Sequence, residues 1–283
     1  MSIAAATVKS LREETGAGMM ECKKALVESG GDVVKARSIL RARSGARARK
    51  VSSRTAGEGR VAFAQDGNIG ALVCINCETD FVARDDAFYA FAGSVAGALC
   101  AAGVDAPNAE NTEEEDEAGG IDNLPMTDGG GTLAAAREAM VMKMGENITI
   151  GMHRVFRAEG RLFHYLHPGE QIGAMADIAG GGESLGREVC MHIAAMRPQF
   201  LDSGDIPEEE LAREREAGRT QAIKEGKPPN IANKIADGRV KKYLSEVALL
   251  HQPFIKDDKK TVSRALAESG AAAKGFALVT TGG

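Results

Sequence analysis

Tryptophan is missing from the 283 residues, and aromatic side chains make up only 4% of them. A nucleic-acid surface built from stacked rings is therefore not expected. No run of about 18 apolar residues occurs, so there is no candidate membrane span. The start, Met1-Ser2-Ile3-Ala4, lacks a charged stretch leading into an apolar core. No signal peptide is expected, and the cytoplasm is the expected location. The five cysteines, Cys22, Cys74, Cys77, Cys100 and Cys190, are odd in number and scattered, which argues against a disulfide framework. Also absent are the phosphate loop GxxxxGK followed by Ser or Thr, a GxGxxG opening a helix after a strand, and the GxSxG nucleophile turn. Such a chain is expected to hold no nucleotide, metal or cofactor of its own, and to be a binding protein rather than an enzyme.

What is present is enough apolar residue, 43%, for real cores, in a length that suits two or three structural units. The net charge of −5 is unevenly spread. Residues 1–60 hold 13 Lys and Arg against 6 Asp and Glu, a net of +7, and the remainder holds 22 against 34, a net of −12. From Asp85 to Ala136 there is no Lys or Arg. A basic head suits an acidic partner surface or RNA, although a solvated helical face produces the same pattern more often.

Residues 2–50 read as three short helices. Ile3, Thr7, Val8 and Leu11 fall on one helical face, and Gly16 and Gly18 interrupt it. Met19, Cys22 and Leu26 open a second helix that stops at Gly30-Gly31. Asp32 is placed to cap a third, which carries Val33, Ala36, Ile39 and Leu40. Residues 41–57, rich in Arg, Ser, Gly and Lys, read as a linker. An internal repeat follows. Glu58-Gly59-Arg60-Val61 returns as Glu159-Gly160-Arg161-Leu162, and Ile69-Gly70-Ala71-Leu72 as Ile172-Gly173-Ala174-Met175, at offsets of 101 and 103. Each copy reads strand, turn, strand, helix, with turns at Asp66-Gly67-Asn68 and Pro168-Gly169-Glu170. The helices fall at about Asp85–Ala101 and about Ser184–Met196. The expected class is α+β: a three-helix head (1–54), then two related subdomains with antiparallel sheets (55–145 and 146–283). Residues 103–131 read as an acidic mobile loop inserted in the first subdomain. Residues 205–243 read as a helical hairpin inserted in the second, started by Pro207 and turning near Gly226–Pro229.

Candidate chemistry is sparse. Cys74 and Cys77 have CxxC spacing, but they lie on a predicted strand without a second ligand pair, so they read as strand residues. His164 and His167 fall on a predicted strand and give no metal site. Glu78-Thr79-Asp80-Phe81-Val82 joins a predicted strand to a helix, where the second repeat has Ala179-Gly180-Gly181-Gly182-Glu183. Two readings stand side by side. Asp80 caps the helix and Phe81 staples into the core, or Phe81 is offered to a partner pocket. Met19 and Met20 are adjacent on a helix, so both cannot enter a three-helix core, and one is expected at the surface beside Lys23 and Lys24.

Two blocks carry a family resemblance. Leu11-Arg12-Glu13-Glu14-Thr15-Gly16-Ala17-Gly18-Met19-Met20-Glu21-Cys22-Lys23-Lys24-Ala25-Leu26 and Asn76-Cys77-Glu78-Thr79-Asp80-Phe81-Val82-Ala83-Arg84 resemble the two signatures of the elongation factor Ts family. Lys143–Ile148 and His192–Ala195 extend the likeness, and Cys74 departs from it by replacing an acidic residue. The resemblance implies an N-terminal domain like the ubiquitin-associated fold, a two-part core, and a helical hairpin that makes homodimer contacts in some members. It implies guanine-nucleotide exchange on elongation factor Tu, in its GDP-bound and nucleotide-free states. Thr79, Asp80, Phe81 and Val82 would displace magnesium, with Phe81 wedged between helices of the GTPase. Arg12, Met19, Met20 and Lys23 would dock the N-terminal domain, and Met144 and Gly145 would add core contacts. Neither direct nucleic-acid binding nor membrane attachment is implied. The alternative classes are a ribosome- or RNA-associated translation protein, suggested by the basic head, and a CxxC redox enzyme.

Overall fold

The computed structural model describes residues 3–103, 120–127, 129 and 131–281. It is a mixed α+β protein with small sheets, and it divides into two compact units. The first comprises residues 1–157, 168–173 and 279–283; the second comprises 158–167 and 174–278.

The first unit begins with α1 (Ala5–Thr15), α2 (Met19–Glu28) and α3 (Val33–Val51). Gly16 ends α1 at φ 67°, a left-handed cap that costs glycine little. Asp32 caps α3 by accepting the Lys35 N–H at 3.1 Å, and that bond lowers its carboxyl pKa. Val8, Leu11, Cys22, Ala25, Leu26, Ala36 and Leu40 form one small core, with Ile3, Val33 and Ile39 at its edge. The linker expected over 41–57 is helical as far as Val51. Its small residues are the reason. Ser44, Gly45 and Ala48 are buried, and a side chain on Gly45 would meet the Glu138 carboxylate at 3.1 Å. They let α3 pack closely on α6 (Leu133–Met144).

The sheet of this unit has the order β1 (Glu58–Asp66), β2 (Ile69–Cys77), β3 (Thr149–Arg157), with both pairings antiparallel. Gly67 takes φ 56° in the tight connection between β1 and β2. Because β3 pairs with β2, the first unit continues to Arg157, past the sequence boundary at 145. The repeat contains no signal for this third strand. Alternate residues of β2, Ala71, Val73, Ile75 and Cys77, face a core shared with α5 (Asp86–Ala102), which supplies Phe88, Phe91, Ala92, Val95 and Leu99. Asp85, expected to open this helix, is its N-cap and accepts the Ala87 and Phe88 N–H groups. Most of the acidic segment expected as a mobile loop lies outside the described residues. Its far end is built into the fold: Gly120–Asn123 makes a 3-10 turn, and Met126 is buried in the same core.

The second unit has the strand order β4 (Arg161–Leu166), β5 (Ile172–Ala179), β8 (Ala272–Thr280). Helix α7 (Glu183–Met196) packs on β4, with Gly186 lying against the Phe163 ring. Helices α8 (Glu208–Lys224) and α9 (Pro229–Val247) pack against each other through Gly218, Ala222, Ala232 and Ala236. A side chain on Gly218 would meet the Ala236 backbone at 3.1 Å. A two-stranded ribbon, β6 (Pro253–Phe254) and β7 (Asp257–Thr261), and α10 (Val262–Glu268) follow. Buried His192 is fixed in one tautomer: Nδ1 accepts the Ile255 N–H at 3.3 Å, and Nε2–H donates to Gln252 at 2.9 Å. Burial lowers its pKa and keeps the ring neutral.

Gly59 and Gly160, matched in the sequence repeat, occupy the same kind of place. An added Cβ would lie 2.3 Å from the Ile75 carbonyl oxygen at Gly59, and 2.7 Å from the Ile178 carbonyl oxygen at Gly160. Both contacts are with backbone, which cannot swing aside. Gly59→Ala and Gly160→Ala should each cost about 1–3 kcal/mol of stability through overpacking. Thermal melting followed by circular dichroism checks this; unchanged midpoints would contradict the close approach.

Candidate functional site

The sharpest surface feature is Phe81, 82% exposed on α4 (Asp80–Ala83), which buries none of its four residues. So short a helix has no stability of its own, because nucleation costs more than one turn returns. Contacts on both sides hold it. Ahead of it, Glu146 accepts three hydrogen bonds. The N–H groups of Glu78 and Thr79 donate to Oε2 at 3.0 and 3.1 Å, and the Thr79 hydroxyl donates to Oε1 at 2.7 Å. Thr79 is the helix N-cap, accepting the Val82 N–H at 3.4 Å. The cap expected at Asp80 is therefore one residue earlier. Asp80 sits in the first turn and pairs with Arg84 at 3.2 Å. The staple expected of Phe81 is replaced by Val82 and Ala83, which pack on the sheet core.

Glu78 returns the bond that Glu146 makes. Its Oε1 accepts the Asn147 N–H at 2.6 Å, which is the main reason its carboxyl pKa is lowered, with Arg54 adding to the effect. Buried Asn147 donates its amide to the carbonyls of Ser52 and Arg54, at 3.3 and 2.7 Å. The loop, the end of α6 and the exit of α3 are thus joined by one polar network.

Behind α4 stands Arg60. Its guanidinium donates to the Ala83 carbonyl at 3.2 Å, lies 4.0 Å from the centre of the Tyr89 ring, and pairs with Glu170. Arg60, Ala83 and Glu170 line a charged cleft of about 750 Å³ with Glu58, Asp80, Arg84 and Gln171. Cation–π and carboxylate contacts together fix the guanidinium plane.

The other sequence-derived candidates fall into two groups. Met19 and Met20 are both exposed, at 46% and 60%, although their adjacency on a helix requires only one at the surface. Met20, Lys23, Lys24 and Val27 line a shallow groove with Glu28 and Arg43. Arg12 is exposed in the last turn of α1. Met144 packs against the sheet core, and Gly145 caps α6 at φ 79°, with Arg47 so near that a Cβ would meet it at 3.0 Å. Glu146, Asn147 and Arg60 belong to the site although no local sequence signal marks them. Only the likeness of Lys143–Ile148 to a family block drew attention to that segment.

A sequence model of the family described as Elongation factor TS matches residues 78–283. Elongation factor Ts of Nitrosomonas eutropha is 45% identical over 282 residues, covering 99% of this chain and 92% of the relative. The chain belongs to the elongation factor Ts family. The proteins of that name from Nitrosospira multiformis and Burkholderia cenocepacia are 46% and 42% identical, each over 99% of this chain and 90% and 91% of the relatives. A translation factor is the setting in which the exposed Phe81 turn has to be understood.

No group of three or more His, Cys, Asp or Glu suited to a metal occurs among the described residues, and no helix there is long and apolar enough to cross a membrane. Burial pushes the Cys74, Cys77 and Cys190 thiols up to about 12. Because these pKa values are raised, the thiolate is almost absent at pH 8. Iodoacetamide at pH 8 should therefore leave these three unlabelled in the native protein and label them after denaturation, as peptide mass spectrometry would read. Rapid native labelling at Cys77 would reopen the redox reading.

Proposed function

We propose that this protein is a guanine-nucleotide exchange factor for elongation factor Tu, acting through Thr79–Val82. The observation that carries the reading is an almost fully exposed phenylalanine on a four-residue helix held from both sides. Leaving that ring in water has no folding benefit, and a rigid aromatic anchor is a common hot spot for a partner pocket. Membership of the elongation factor Ts family supports elongation factor Tu as that partner.

Exchange needs no bond chemistry from this chain, only coupling between two ligands of the GTPase. A factor that weakens GDP binding is itself bound more weakly in the presence of GDP, by the same ratio. Magnesium bridges phosphate and protein, so a shift that dislodges it removes a large local charge stabilisation. A wedge pressed between packed helices does this from outside the nucleotide pocket, because packed regions move between discrete arrangements. In this reading the N-terminal helices dock through Met20, Lys23 and Val27, with Arg12 and Met19 as further contacts, and Met144 and Gly145 support the core contact. Exposed Ile223, Ile231 and Ile235 on the α8–α9 hairpin support a role in self-association.

The test is release of labelled GDP from elongation factor Tu, followed by stopped flow. The protein should accelerate release, and Phe81→Ala should slow it by about thirty-fold, the equivalent of a hot spot of ~2 kcal/mol. Thermal melting of Phe81→Ala should stay near that of the unaltered protein, whereas a core phenylalanine costs about 3–5 kcal/mol on truncation. Lost stability with normal exchange per folded molecule would overturn the wedge.

A further inference from the structure

We propose that Glu146 is a positioning residue for exchange: its carboxylate stiffens the turn that carries Phe81, so that strain at the contact falls on the partner rather than on the loop. This rests on the reading of Thr79–Val82 as the releasing contact. Apolar packing gives α4 only modest support, since Val82 and Ala83 are partly buried against the sheet core and none of its residues is fully buried. Polar contacts therefore decide its stiffness, and three of those ahead of it end on one carboxylate. A carboxylate has about four lone-pair sites, and three donors converge here. One of them, the Thr79 hydroxyl, is also the acceptor that caps α4, so Glu146 fixes the orientation of the cap.

Glu146 is itself held. It follows Gly145, whose left-handed conformation ends α6. The next residue, Asn147, donates its backbone N–H to Glu78 and its side-chain amide to Ser52 and Arg54. Glu78 and Glu146 thus each accept from the backbone of the opposite segment. Such a two-way latch resists hinging better than either bond alone. A wedge on a soft mount yields when pressed against a packed GTPase, and the binding energy then goes into bending the loop. A loop ordered beforehand spends none on ordering itself. The latch is thus expected to govern the maximal release rate more than the concentration of factor needed for half saturation.

The test uses the full chain with elongation factor Tu and labelled GDP. Glu146→Ala should lower the maximal release rate by roughly ten-fold, the scale of one charge-assisted hydrogen bond, with a smaller rise in the half-saturating concentration. Glu146→Gln can offer its amide oxygen to the two backbone N–H groups and its NH2 to Thr79 Oγ1, and should recover most of the rate. In a Phe81→Ala background, Glu146→Ala should add less than about two-fold, because the two residues act through one contact. If Glu146→Ala does not fold, Glu146→Asp serves in its place, since it keeps the charge but withdraws it by one methylene. Folded Glu146→Ala or Glu146→Asp with a full maximal rate would overturn the positioning role, as would losses that multiply in the double variant. A full rate for Phe81→Ala would instead overturn the underlying reading of the loop.

Discussion

Close packing of α3 on α6, made possible by Ser44, Gly45 and Ala48, sets where the rest of the first unit can go. Leu40 belongs to the small core of the N-terminal helices, while Ala48 and Val51, two and three turns further on, belong to the core under the sheet. A single uninterrupted helix therefore serves two cores. A unit of three short helices buries little apolar surface and is marginal alone. Continuation of α3 into a larger core supplies what it lacks.

The same packing fixes the ends of the two helices. Val51 and Met144 are followed by Ser52–Arg54 and by Gly145–Asn147, and Asn147 ties these segments together through two backbone carbonyls. Asn147 is buried, and a buried amide without partners would cost more than its bonds return, so these two carbonyls are strongly specified as its acceptors. Glu146 then has a defined position from which to hold Glu78 and Thr79. On the other side of α4, Arg60 reaches the Ala83 carbonyl from β1. Phe81 is thus exposed by a chain of contacts that begins inside the protein, which is what a surface aromatic needs if it is to stay out of the core.

The two glycines at the starts of β1 and β4 point to a related economy. Each lies against the backbone of the adjacent strand, β2 or β5, closer than any side chain allows. The partner residues differ: Asp177 accepts the N–H groups of Glu159 and Gly160 at 2.7 and 2.9 Å, and Cys74, at the matching place in the repeat, donates its thiol to Asn76 at 2.9 Å. In the second unit a carboxylate therefore helps seat the glycine strand.

Local signals in the sequence were sufficient for the helices of residues 5–40, the cap at Asp32, the β1–β2 hairpin, and the pairing of α8 with α9. Each of these depends on neighbours within a few residues or on one apolar period. Two matched motifs at offsets near 100 residues also revealed the two glycine-opened hairpins. Long-range packing decided the remainder. Residues 41–51 have linker-like composition, yet they are helical because small side chains there fit against α6. The strand β3 joins β2 although nothing in its own segment names that partner. Phe81 could have been a core staple or an exposed anchor, since both suit the same five residues. The choice was made by Glu146 and Arg60, residues 65 positions after and 21 before it, whose contacts exist only once the chain has folded.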